Sequence, residues 1–161
     1  MDSPTVSSLP GASMPVPGSL RVVAARRAPV GPSRSRPLFL SRVPAGFPSP
    51  ADDYVETSLD LSEALIDNEE STFYVRVAGD SMTGAGIHDG DVLVVDRSAQ
   101  PSEGDVVIAA LGGELTVKRY EIHSGRPYLV PEAEGHDPIP VREGEELRVW
   151  GVAQHVVHEI S

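Results

Sequence analysis

The sequence predicts a mainly β protein: a compact folded antiparallel sheet or small barrel with one short helix, preceded by a flexible N-terminal arm. Three observations carry this expectation. The chain has 161 residues, 40% of them hydrophobic, enough for one domain with a real core plus some extended chain. From Thr72 onward, short runs rich in Val, Ile and Tyr alternate with turn residues. Residues 1–50, by contrast, hold ten of the fifteen prolines, with many serines and no sustained apolar period. The expected organisation is an arm over 1–50 and a β-rich domain over 51–161.

Along the chain, the arm carries Arg21, Arg26, Arg27, Arg34, Arg36 and Arg42. In "DLSEALID", Asp60 can cap a short helix with Glu63 three residues on, and Leu61, Ala64 and Leu65 give it one apolar face. The expected strands follow as "TFYVRVA", "DVLVVD", "GDVVIAAL", "ELTVKRYE", "PYLVP" and "LRVWGVAQHVVH". Between the third and fourth, Gly112 and Gly113 have the composition that a tight hairpin with positive φ demands.

Charge and composition narrow the function classes. The net charge is −11, but residues 1–45 hold six arginines against Asp2 alone, a local +5 that leaves −16 on the remainder. So acidic a body repels phosphate backbones, and any nucleic-acid role should come through a partner. The absence of cysteine excludes disulfides, thiolate nucleophiles and Cys-ligated metals. No run approaches the roughly 18 to 20 apolar residues of a membrane span, and the N-terminus lacks the apolar core of a signal peptide. The expectation is a cytoplasmic chain with no membrane contact, no metal and no cofactor.

Three features can carry chemistry. Ser81 stands in "AGDSMTGAGIHDGD" just after a strand, where a serine reads equally as a local turn residue. Lys118, in "ELTVKRYE", is the only lysine, and alternation puts it with Thr116 and Tyr120 on the face opposite Leu115 and Val117. Arginine stays protonated and cannot act as a base, whereas a desolvated lysine can. A solvated edge lysine is the plainer alternative. In "RVPAGFPSP", Ala45 and Gly46 form a small–small peptide bond between Pro44 and Pro48, a segment that reads as a linker or as an extended strand able to lie in a protease cleft. His88, Asp89 and Asp91 in "IHDGD" suggest a His–Asp metal or triad site, against which stands their place in a turn where Asp-Gly serves the backbone. His155 and His158, three apart on an expected strand, face opposite sides and make a poor metal pair.

Taken together, "AGFPSPADDYVE", "VAGDSM", "DGDVLVVDRS" and "GDVVIAALGGELTVKR" closely resemble the family of self-cleaving serine–lysine peptidases that contains UmuD and the LexA repressor. The resemblance runs from about Ala45 to His158, with several motifs agreeing in order and spacing. It implies Ser81 as nucleophile, Lys118 as general base, the Ala45–Gly46 bond as the self-cleavage site, and backbone N–H groups of Ser81 and Met82 as oxyanion donors. It further implies a homodimer, stimulation by the RecA filament on single-stranded DNA, and service of the shortened form to a UmuC-like Y-family polymerase. Ala45 before the scissile bond is as in LexA-type sites, while the arm is longer and more proline-rich than the UmuD type leads one to expect. A LexA-like or phage-type repressor needs a helix-turn-helix domain before the cleavage site, which the proline-rich residues 1–45 do not offer. A non-enzymatic β interaction module, with Ser81 and Lys118 idle, is the other alternative.

Overall fold

In a computed structural model, the residues described are 19–28, 31–32, 34–39, 56–111 and 113–160. They form β1 (Arg21–Arg27), β2 (Arg36–Phe39), β3 (Glu56–Leu59), α1 (Leu61–Leu65), β4 (Thr72–Ala78), β5 (Val92–Asp96), β6 (Val106–Leu111), β7 (Glu114–His123), β8 (Arg126–Val130), β9 (Ile139–Pro140) and β10 (Arg148–Val157). The described residues fall into two compact units, one made of those within 19–28 and 68–160 and the other of those within 31–67.

The larger unit is an antiparallel sheet in the order β1-β4-β5-β10-β6-β7-β8-β9, closed by a further β1–β7 pairing. Six strands therefore make a barrel, with β8 and β9 extending from β7. The expected strands are all present, and the β6–β7 hairpin pairs Leu111 with Glu114 and places Gly113 at φ 83°, the left-handed region that favours glycine there. In β6, "VVIAAL", alternate residues serve two cores: Ile108 joins Val75, Val77, Leu93, Val95 and Val117, while Val107 and Ala109 join Leu129 and Val152. A strand buried on both faces reads as the continuous apolar run seen in the sequence. In β10, Gly151 lies at a register shift and has no room for a side chain, because a Cβ would stand 2.6 Å from Val95 Cγ1.

The smaller unit pairs β2 with β3, followed by α1. Asp60 caps α1 as expected, its carboxylate accepting from the N–H groups of Ser62 and Glu63. That carboxylate also accepts from the Arg34 N–H at 2.6 Å, so the cap ties the helix start to the chain before β2.

One expectation is corrected. The flexible arm expected over 1–50 contains two strands: Arg21–Arg27 is a barrel strand and Arg36–Phe39 pairs with β3. β1 carries few inward side chains, with Val22 buried and Val23 half exposed, and its register shifts between Val22 and Ala24. That bulge breaks the period-2 pattern by which strands are recognised.

Candidate functional site

The site forms where the turn after β4 meets the middle of β7. Chain direction changes at Gly79, whose φ of +119° favours glycine and whose absent Cβ leaves room for another backbone: a Cβ there would stand 2.5 Å from Ser19 O. Beyond it, Ser81 and Met82 are both fully buried, and Met82 reaches the barrel core. A 3-10 turn over Thr83–Ala85 closes the loop, which is held down by Glu132 N–H on Ser81 O (2.8 Å) and by Gly84 N–H on Glu132 O (2.6 Å). The nucleophile candidate thus sits on a backbone fixed from both sides.

Lys118 enters from β7. Its neighbour Val117 points into the barrel core, so strand alternation sends the Lys118 side chain to the opposite face. Lys118 is only 2% exposed, and its amine lies 3.0 Å from Ser81 Oγ, 2.9 Å from Ser19 Oγ, 2.9 Å from Thr116 Oγ1 and 3.1 Å from Val117 O. Those neighbours are hydroxyls and a carbonyl; among the described residues Lys118 makes no ion pair. Burial without a counter-charge disfavours the ammonium and lowers the Lys118 pKa to about 8.

Proton accounting distinguishes the hydroxyls. Thr116 Oγ1 donates to Leu20 O at 2.9 Å, so toward the amine it can only accept. Ser81 Oγ accepts from the Leu20 N–H at 2.7 Å, which leaves its own proton free to point at Nζ. A neutral Lys118 can therefore donate to Thr116 and Ser19 while its lone pair receives the Ser81 proton. This is the arrangement a serine needs in order to become a nucleophile without histidine.

The structure brings together two residues singled out in the sequence, Ser81 and Lys118. It adds Ser19 and Leu20, which no sequence signal marked, and Thr116, whose place two residues before Lys118 on the same strand was its only pointer. Met82 follows the serine, and among the described residues' hydrogen bonds none is donated by the N–H of Ser81 or Met82. Ala45 and Gly46 lie outside the described residues.

His88 and Asp91 sit elsewhere, joined by His158 from beyond the end of β10. The Asp91 carboxylate is 3% exposed and accepts from the His88 N–H at 2.8 Å and from His158 Nδ1 at 2.6 Å. Asp89 is not in this cluster; its carboxylate accepts from the Gly79 N–H at 2.9 Å. The pairing of His158 was not legible because its partners come from the turn before β5, not from its own strand. One ligand atom from each of His88, Asp91 and His158 lies within 4.8 Å of the others. The close His158–Asp91 hydrogen bond already satisfies that carboxylate oxygen. No helix among the described residues is long and apolar enough to cross a membrane.

The barrel thus holds a buried lysine amine against a buried serine hydroxyl. The chain belongs to the Peptidase S24-like family, whose profile matches residues 37–154. Among similar proteins, Protein ImpA of Salmonella typhimurium is 46% identical over 123 residues, covering 76% of this chain and 83% of that protein. Protein SamA of Salmonella typhimurium strain LT2 is 44% identical over 140 residues, covering 87% of this chain and 96% of that protein. The LexA repressor of Mycolicibacterium smegmatis is 39% identical over 121 residues, which cover 75% of this chain but 48% of the repressor.

Proposed function

We propose that this chain is a UmuD-type protein that cuts itself between Ala45 and Gly46 with a Ser81–Lys118 dyad. One observation carries the reading: a buried amine with no ion pair among the described residues, its pKa lowered to about 8, stands 3.0 Å from a buried serine hydroxyl that already accepts from the Leu20 N–H.

In this mechanism neutral Lys118 Nζ takes the Ser81 proton as Ser81 Oγ bonds to the Ala45 carbonyl carbon. The resulting oxyanion is held by the backbone N–H groups of Ser81 and Met82. As the Ala45–Gly46 bond breaks, the Lys118 ammonium returns its proton to the Gly46 nitrogen. Water, deprotonated by the same amine, then hydrolyses the Ala45 ester and frees Ser81. No metal or cofactor takes part.

The same reading makes the protein an SOS-response homodimer. Cleavage is stimulated by the RecA filament on single-stranded DNA, and the shortened form, 46–161, serves a UmuC-like Y-family polymerase in error-prone lesion bypass. The −16 charge outside residues 1–45 supports a role that reaches nucleic acid through these partners. The chemistry is consistent with a cytoplasmic protein.

The test is a mass measurement. Purified protein incubated at alkaline pH, or with RecA, an ATP analogue and single-stranded DNA, should yield two fragments meeting at Ala45–Gly46. A Ser81→Ala sample should stay whole. A wild-type chain that remains intact under both conditions would leave the β interaction module as the better account.

A further inference from the structure

We propose that Ser19–Arg21 is a resident ligand of the catalytic cleft: an extended segment with an aliphatic anchor, Leu20, that occupies the place the Ala45–Gly46 segment must enter. The cleft on this view is a strand-binding site with a subsite for an aliphatic side chain beside the nucleophile. Self-cleavage requires exchange of one segment for the other. The inference rests on the Ser81–Lys118 reading above.

The serine hydroxyl, the lysine amine and the β7 edge at Thr116 and Val117 are already engaged. Leu20 donates its N–H to Ser81 Oγ at 2.7 Å, and its carbonyl accepts from Val117 N–H at 3.0 Å and from Thr116 Oγ1 at 2.9 Å. The Ser19 hydroxyl accepts from Lys118 Nζ at 2.9 Å. The Leu20 side chain is fully buried and belongs to the core cluster that includes Val75, Val77, Met82 and Val117. An extended segment held by main-chain hydrogen bonds at a strand edge, with a side chain in an apolar pocket, is the way peptides bind by strand addition.

The chemistry of the contact is non-productive. Ser81 Oγ meets an amide N–H, a donor, where attack requires a carbonyl carbon. The resident strand therefore occupies the nucleophile without being cut.

Exchange can be local. Arg21 is the single β1 residue in register with β7, opposite Thr116, whereas the strand is in register with β4 from Arg21 to Arg27. Residues 19–21 can lift from β7 while the β4 pairing from Val22 to Arg27 persists, a sub-global opening. Because both occupants belong to one chain, their ratio is set by relative docking strength, and the uninduced rate falls by the fraction of chains in which the cleft is free.

The test is the uninduced cleavage rate of the full chain at alkaline pH. Leu20→Asp, which places a charge in the apolar subsite, should accelerate cleavage after Ala45 by about tenfold or more. A synthetic peptide of residues 17–28 at millimolar concentration should slow both this variant and the wild type, while the same peptide carrying Leu20→Asp should not. Circular dichroism shows whether the variant is folded; if it is not, the peptide's effect on the wild type decides. A folded variant cut no faster than wild type, or a wild-type rate indifferent to the peptide, overturns the proposal and leaves the dyad standing. Absence of any cut after Ala45, even with RecA and single-stranded DNA, overturns the dyad and this proposal together.

Discussion

Among the charges that the barrel buries, Lys118 and Asp91 are treated in opposite ways. For Asp91, burial pushes the carboxyl pKa up, but the His88 N–H, the His158 hydrogen bond and the charges of both imidazoles outweigh it, so the pKa is lowered. Lys118 is as deeply buried, and its neighbours are neutral. Its pKa falls to about 8 through burial alone. Both shifts are downward, yet their meanings differ: Asp91 is held in its charged form, Lys118 is driven toward its neutral one. Matched partners hold a buried group in its charged form, whereas burial without a counter-charge favours the neutral one.

Replacing Lys118 should break this contrast most severely. Lys118→Arg keeps a positive charge but cannot be neutral at usable pH, so cleavage should fall by roughly 10²- to 10⁴-fold, the span typical of a lost general base. Fragment yield on gels measures it. A Lys118→Arg protein that cuts at the wild-type rate would reduce the lysine to a structural cation. In the wild type, with chemistry rate-limiting, cleavage should rise with pH and level off above about 8, where Lys118 is neutral.

Stability should register the same amine. The unfolded lysine titrates near 10.5 and the folded one near 8, so between those values the unfolded chain binds more protons and stability rises with pH. The gain is roughly 3 kcal/mol at about 1.4 kcal/mol per pKa unit. Below pH 8 the whole cost of burying the ammonium is present. Urea unfolding from pH 7.5 to 10.5 should show the rise in wild type and lose it in Lys118→Met, which should be no less stable at neutral pH. An unaltered slope in Lys118→Met would place the titration elsewhere.

Asp91 should give the converse. Asp91→Ala removes the buried carboxylate that accepts from the His88 N–H and from His158, and should cost about 1–3 kcal/mol in urea unfolding at pH 7, with cleavage per folded molecule within twofold of wild type. With its folded pKa lowered, Asp91 contributes stability above the ordinary carboxylate range and loses it as pH falls through the folded value. The smallest effect belongs to His158→Ala, within about 1 kcal/mol, because the ring is half exposed and the His88 N–H still holds the carboxylate. A larger loss there would make His158 the main support of Asp91.

Much of the fold was legible because β6, β7 and β10 carry their pattern locally. Alternation along "ELTVKRYE" separated Val117 from Lys118, and the glycines before it marked the hairpin. Asp60 announced α1 for the same reason: a cap is a contact across two or three residues. Ser81 and Lys118 were legible as residue types, an exposed-looking serine in a turn and a single lysine among arginines. Their meeting was an implication of family resemblance.

What the sequence by itself determined is what depends on neighbours along the chain: strand periods, turn glycines, a helix cap and the identity of the one lysine. Tertiary structure alone decided that β1 closes the barrel, that Leu20 covers Ser81, and that His158 reaches Asp91 from 67 residues away. It also decided the state of the lysine, since an amine is a base or an ammonium according to the water and charge around it. Those surroundings are assembled from Ser19, Ser81 and Thr116, of which only Thr116 is its neighbour in sequence.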